Sequence, residues 1–256
     1  MSSRTALLGG LAVLLLVVGG AALAWTLFLR GDEVAPLALP STAPSASAAA
    51  GGATTAPGAS ADVSLAPASA AAIDAASLPG SWTITDGSVA GYRVRERLAS
   101  LSADSDAVGR TNVITGAATI AAAADALSVA DASFTVDMTS LASDRQMRDN
   151  RLRSDGIQTD QFPTSTFKLT QPIALPATAA SGTPFDVTLH GDLTLHGVTK
   201  TVDIPAKAQL NGSEIQVVGS LSFPFSDYQI NTPNIGGFVT VQDQGTLEFQ
   251  VNLAKA

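Results

Sequence analysis

Two histidines and no cysteine make up the soft metal-ligand supply of this chain of 256 residues. His190 and His196 lie in one run with Asp192 between them, all at even positions, so an extended strand presents the three on one face. Two imidazoles and a carboxylate are the donor set of a divalent metal centre. The spacing argues against that use, because six residues of extended chain hold the two rings about 20 Å apart, too far for one ion. His196, next to Gly197, reads instead as a hydrogen-bonded hairpin residue. A second candidate is Asp149 beside Arg148, an acid with a cation to activate it; a structural ion pair is the simpler account. No G-x-S-x-G elbow, phosphate-binding glycine loop or cysteine nucleophile is present. These residues point away from an enzyme, and neither a metal nor a cofactor is expected.

The histidines sit in the most regular stretch of the chain. Phe185, Val187, Leu189, Gly191, Leu193 and Leu195 alternate with Asp186, Thr188, His190, Asp192, Thr194 and His196. Strict period-2 alternation predicts a half-buried strand. After Gly197-Val198 the pattern resumes at Val202, Ile204, Ala206, Ala208 and Leu210, so the two runs predict a β-hairpin. One face of that hairpin is apolar and has to be covered.

Further strands are predicted around it. Trp82 with Ile84, then Tyr92 with Val94, form two short ones separated by Asp86-Gly87-Ser88. Residues 113–120 form a weaker one, followed by Phe134 to Met138 and by Phe167 to Leu169. Glu214 to Phe225 alternates again, and Phe238 to Leu253 closes the chain. Between them Ser143-x-x-Gln146 has the form of a capping box, with Asp144 in the first turn, and predicts a short basic helix ending at Gly156. Clustered arginines at 93–97 and 145–153 are read first as salt-bridged or solvated faces, and second as a positive rim for an anionic head group or lipid surface.

The net charge of −8 excludes a nucleic-acid partner, which needs a basic surface. Residues 1–5 carry Arg4, and Ala6 to Leu29 is an unbroken apolar run that as a helix would reach roughly 36 Å. Ala22-Leu23-Ala24 resembles a signal-peptide cleavage site, but Trp25 to Leu29 prolong the run beyond it. Residues 6–29 are therefore expected to be an uncleaved transmembrane anchor, N-terminus cytoplasmic, with everything after residue 30 outside the cytoplasm. Residues 30–79 are dominated by Ala, Pro, Ser, Thr and Gly, without a core-forming period, and are expected to be a disordered linker.

About eight amphipathic strands in 80–256 can close as a sandwich or a barrel. Long strands in hairpin order favour the barrel, which leaves no exposed edge. An eight-stranded barrel has room for one small or elongated guest. In such a barrel Tyr92, Val94, Phe134, Val136, Phe167, Leu193, Leu195, Ile204, Leu221, Phe223 and Phe249 are expected to point inward and to contact a ligand.

Specific strings extend this reading. Arg148-Asp149-x-x-Leu152-x-Ser154 followed by Phe162-Pro163-x-x-x-Phe167 resembles the "RD-x-x-L-x-S … F/YP-x-x-x-F" segment of the YceI-like family. Gly191-Asp-Leu-Thr-Leu-His196-Gly197-Val-Thr-Lys200 resembles its "G-x-L-T-x-H-G-V-T-K" hairpin, and Val241-x-Asp243-x-Gly245-x-Leu247 its closing strand. The resemblance spans about residues 80–254. It implies an all-β fold, an eight-stranded antiparallel lipocalin-like barrel with one short inserted helix, here behind a transmembrane helix and linker. It also implies a bacterial cell-envelope or periplasmic protein that holds a polyisoprenoid, isoprenoid quinones included, for transport or storage. The partners implied are that apolar lipid and, through the N-terminal helix, the cell membrane. Arg148 and Asp149 are then candidates for the head-group rim. Two departures stand out: Glu96 occupies a position where the family often has histidine, and Tyr92 replaces a phenylalanine. The alternative is a structural or adhesive envelope module whose apolar face is filled by its own side chains, with a lipid-acting enzyme third.

Overall fold

The hairpin that dominates the sequence is built as its pattern requires. Strand pairing runs from Phe185 opposite Ala208 to Leu195 opposite Val198. His196 and Gly197 form the two-residue turn, with φ of 52° and 73°. Two consecutive left-handed residues match the right-handed twist of the strands, and Gly197 supplies one of them without strain.

The computed structural model describes residues 34–40, 74–98, 104–123, 126–232, 234–235 and 239–256. The cytoplasmic N-terminus and anchor expected at 1–29, and residues 30–33 and 41–73 of the expected linker, lie outside the described residues. Among the described residues no helix is long and apolar enough to cross a membrane. The elements in chain order are β1 (Gly80–Ile84), β2 (Val89–Leu98), β3 (Ser105–Thr111), β4 (Ile114–Ala123), β5 (Ala126–Asp137), β6 (Ala142–Ser143), α1 (Gln146–Ser154), β7 (Thr164–Leu169), β8 (Ile173–Ala174), β9 (Phe185–Leu195), β10 (Val198–Asn211), β11 (Glu214–Pro224), β12 (Asn234–Ile235) and β13 (Val239–Lys255).

These strands close a ring of eight antiparallel positions. β13 pairs with β11 on one side and, on the other, with β1 and β2 laid end to end. β3 and β4 share the next position in the same way, against β2 and β1 respectively. β5, β7, β9, β10 and β11 complete the circuit. The short β6, β8 and β12 attach to β3, β5 and β13. Closure removes the free edges that eight long amphipathic strands would otherwise expose.

Order at the barrel's entry begins before Gly80. A 3₁₀ turn at Ala75–Ser77 is capped by the Asp74 carboxylate, and Leu78 is buried against Trp82, Ile120, Leu210 and Leu253. The Trp82 indole N–H donates to the Leu78 carbonyl at 2.9 Å. At the opposite end Leu193, Leu195, Phe223, Phe225, Tyr228 and Ile230 form a second cluster with Met138 and Leu141.

The inward aromatic rings are seated on glycines of neighbouring strands. Tyr92 faces Gly109, Phe134 faces Gly116 and Phe249 faces Gly219 in register. A Cβ at Gly109 would come within 2.3 Å of the Tyr92 ring, one at Gly219 within 2.6 Å of Phe249, and one at Gly191 within 2.5 Å of Phe167. The rings therefore lie against the wall rather than across the lumen.

The arginines at 93–97 face outward and are paired. Arg93 reaches Asp106 at 3.1 Å and Glu248 at 3.4 Å, Arg110 reaches Glu248 at 2.7 Å, and Arg95 reaches Asp106 at 2.9 Å. Glu248 is buried beneath the two guanidinium groups. This ladder stitches β2, β3 and β13 together from outside, so of the two readings of that cluster the salt-bridged face is the one realised.

Candidate functional site

The barrel encloses a cavity of about 290 Å³. On β9 its wall runs from Phe185 to Leu195, a rise of about 33 Å that a strand tilt of ~40° reduces to roughly 25 Å along the barrel axis. So modest a volume spread over that length is a narrow bore, the shape of one flexible chain. Ten of the eleven expected inward residues form part of the wall: Tyr92, Val94, Phe134, Val136, Phe167, Leu193, Leu195, Ile204, Phe223 and Phe249. Leu221 shares their face and packs against the Leu193 cluster, but it is not part of the wall. Trp82, Leu210 and Leu253, read from alternation as strand positions but not as ligand contacts, converge on the bore at the apolar end together with Leu78, which lies before the first strand and carries no alternation signal.

At the other end the wall turns polar. Among the described residues lining the cavity, Glu96 and Arg148 are the charged ones. Glu96 extends the inward series Tyr92, Val94 on β2 and is buried, 7% exposed. Its carboxylate accepts from Arg148 Nη2 at 2.6 Å. The other guanidinium nitrogen, Nη1, donates to Asp144 and, at 3.3 Å, to the Ser143 hydroxyl. Burial alone would lower Arg148, but the Glu96 and Asp144 carboxylates outweigh it and hold the guanidinium above its ordinary value.

The start of α1 differs from the expected capping box. Arg145, not Ser143, precedes the first helical residue, and it makes no side-chain cap. Ser143 is held one step earlier: its hydroxyl accepts from the Arg145 N–H at 3.2 Å and donates to Asp149 at 2.7 Å. The Asp149 carboxylate also accepts the Ser143 backbone N–H at 3.0 Å. Asp149, rather than Gln146, is therefore the residue that reaches back, because a carboxylate in the first turn can take both Ser143 donors at once. This corrects the expected Arg148–Asp149 pairing as well. The two side chains form no ion pair and share only the Ser143 hydroxyl, Arg148 otherwise pairing with Glu96 and Asp144.

Tyr92 lies between these groups. Its ring rests on Gly109, whose register partner on β6 is Ser143. The hydroxyl is buried and closes no hydrogen bond of normal geometry; the Ser143 hydroxyl beside it donates to Asp149 and accepts from the Arg145 N–H and from Arg148 Nη1. Burial pushes the Tyr92 phenol well above its ordinary value, so it remains a protonated donor throughout the accessible pH range.

The histidines are separate. His190 Nδ1 lies 2.6 Å from Asp203 on the outside of the barrel. His196 spans the Tyr228 carbonyl at 2.9 Å and the Gln158 amide at 3.3 Å, and stacks edge-on with Phe162. Among the described residues no group of three or more His, Cys, Asp or Glu could hold a metal ion.

A known structure repeats this architecture. A polyisoprenoid binding domain from Saccharophagus degradans, implicated in plant cell wall breakdown, superposes with a TM-score of 0.54 at 17% identity, covering 70% of this chain and 99% of that one. BcnA of Burkholderia cenocepacia gives 0.46 at 20% identity, over 64% and 95% of the two chains. The Campylobacter jejuni YceI protein gives 0.45 at 18% identity, over 58% and 84%. No curated protein sequence matches the chain. The sequence profile of the YceI-like domain matches residues 82–253, from Trp82 at the apolar end of the cavity to Leu253 on the closing strand. With the barrel and the family's hairpin both in place, this chain belongs to the YceI-like family.

Proposed function

We propose that this protein is a membrane-tethered carrier or store that holds one polyisoprenoid, or a similarly long apolar lipid such as an isoprenoid quinone, in the bore of its barrel outside the cytoplasm. The observation that carries the reading is the cavity: narrow, elongated, and walled mostly by Leu, Ile, Val, Phe and Ala, with the charged residues of its described wall at one end. A wet bore with such walls is unfavourable, and each Å² of apolar surface that a lipid chain covers contributes about 25 cal/mol before the costs of association. The Saccharophagus degradans domain, described as polyisoprenoid binding, supports the same reading. The apolar run at 6–29 supports a tether, and the linker a spacer between membrane and barrel.

The test is extraction of the purified full-length protein into organic solvent, with mass spectrometry of the lipid recovered. A stoichiometric isoprenoid is the expected result. An empty protein that also takes up no isoprenoid from vesicles would favour the structural envelope module instead. For the tether, a mature N-terminus sequenced near Trp25 would overturn the uncleaved anchor.

A further inference from the structure

We propose that the Trp82 end of the barrel is a fixed stop that limits the chain length the bore accepts, with Leu78 and Trp82 as the residues a threaded chain runs up against. This rests on the lipid-carrier reading above and adds selection by chain length to it.

The two ends of the bore are closed by different means. At the Trp82 end the closure comes from outside the strands: Leu78 lines the cavity, belongs to no strand and is 3% exposed. It packs with Trp82 on β1, Ile120 on β4, Leu210 on β10 and Leu253 on β13. β4 and β10 stand on opposite sides of the ring, so with Leu78 among them the cluster bridges the bore. The chain that carries Leu78 is pinned. Asp74 accepts the Ala76 N–H at 3.0 Å, Lys255 Nζ donates to the Ser77 carbonyl at 2.5 Å, and the Trp82 indole donates to the Leu78 carbonyl at 2.9 Å. A second turn, Ala179–Ser181, adds the buried Ala179 to the cavity lining. Moving this plug would break those bonds and bring two large apolar side chains into water.

The α1 end is held more weakly. Arg148 and Leu152 of α1 line the cavity, yet the helix has no buried residue. Its ties to the barrel are side-chain bonds, Arg148 to Glu96 and Asp149 to Ser143. An element with so little buried surface opens before the rest of the fold. A lipid therefore enters past α1, and its apolar tail runs down the bore until it meets Trp82.

The stop has a consequence for length. An isoprene unit that moves from a bilayer into the bore exchanges one apolar surrounding for another, with little change in free energy. A unit beyond the stop is left in water at the α1 end and forfeits the transfer free energy of its carbons, enough to lower uptake by roughly tenfold or more per unit. Uptake should therefore stay level up to a limiting length and fall steeply past it.

The test uses the full-length protein, stripped of lipid by detergent exchange and incubated with vesicles that carry an equimolar series of all-trans polyprenols from farnesol to solanesol. Mass spectrometry of the re-isolated protein gives the lengths taken up. Trp82→Ala removes more bulk than one isoprene unit and should raise the limit by about one unit. Ala118→Leu, on the cavity wall in register with Trp82, should lower it by about one. Opposite shifts separate a stop from a loss of stability, which would reduce uptake of every length alike. If circular dichroism shows Trp82→Ala unfolded, Leu78→Ala takes its place with the same direction expected. A limit that moves with neither substitution, or uptake that never falls across the series, would overturn the inference while sparing the lipid reading. If no polyprenol is taken up, the lipid reading itself fails and takes the inference with it.

Discussion

Removing Arg148 alone isolates the energetics of the polar end. In Arg148→Ala, Glu96 keeps its place on β2 and loses the guanidinium 2.6 Å away. With side-chain exposures of 8% and 15%, neither partner of this pair is rescued by solvent. Breaking such a pair from one side costs about 3–5 kcal/mol, because the remaining charge is buried without compensation. The Asp144 contact adds little, since that carboxylate is 65% exposed and rehydrates. For a domain of this size each kcal/mol lowers Tm by about 2–4 °C, so a fall of roughly 6–20 °C is expected. The double variant Glu96→Met with Arg148→Met removes both charges and keeps the bulk; it should lie within about 1 kcal/mol of the parent, since an apolar substitute for a buried pair is often neutral. Thermal and urea unfolding of the lipid-free protein, read by circular dichroism, measure all three. A double variant as unstable as Arg148→Ala would show that the loss does not come from the stranded Glu96 charge, and the electrostatic account would be refuted.

Three other outcomes are expected. Leu193→Arg places an unpaired charge on the cavity wall and should abolish lipid uptake. Thr194→Arg, one residue away on the outer face where the hydroxyl meets only Thr199 at 2.7 Å, should leave uptake intact; equal uptake by two folded variants would place the ligand elsewhere. The Asp106 carboxyl feels some desolvation, but its bonds to Arg95 and Arg93 prevail and hold it below its ordinary value of 3.8. Its contribution is thus complete above that value and lost as the pH falls below it, so Asp106→Asn should flatten the acid limb of the stability profile and leave neutral pH less stable. Gly109→Ala drives a methyl into the Tyr92 ring and should cost about 1–3 kcal/mol, much of it recovered by adding Tyr92→Leu, as double-mutant unfolding would show.

The strands were legible wherever one face is apolar and the other wet. From Phe185 to Leu210 period-2 alternation anticipates pairing, face and turn, because a slip of one residue would invert every side chain. β3 was not legible. Its sequence, Ser105 to Thr111, carries small residues such as Ala107 and Gly109 where the ring of Tyr92 needs space, so the feature that fits it to the barrel erases its pattern. The polar end was half legible. Arg148 and Asp149 stood out as adjacent opposite charges, yet their partners come from other elements: Glu96 is 52 residues from Arg148. Local spacing cannot disclose a pair closed by the ring of strands. Glu96 stood out only as a departure from the histidine common at that position in the family, and its pairing with Arg148 in the structure gives it a partner that local spacing could not name.

The end-to-end placement of β1 and β2 along β13 also governs how the molecule assembles. The last seam joins Trp82 to Lys255, and Ala256 donates to the Ser81 carbonyl at 2.9 Å. Hairpins such as β9–β10 can form from neighbours in sequence, whereas this seam must recruit the two extremes of the barrel and loses the entropy of closing the longest loop the domain contains. It is expected to form late, leaving a curled sheet with two open edges and an apolar trough as the long-lived intermediate. That same seam makes the barrel a natural subject for circular permutation: a few residues joining Ala256 to Asp74, so that Leu78 is kept, with new ends opened at Gly212, would turn the slowest contact into a local one. Refolding would then accelerate while the bore stayed the same.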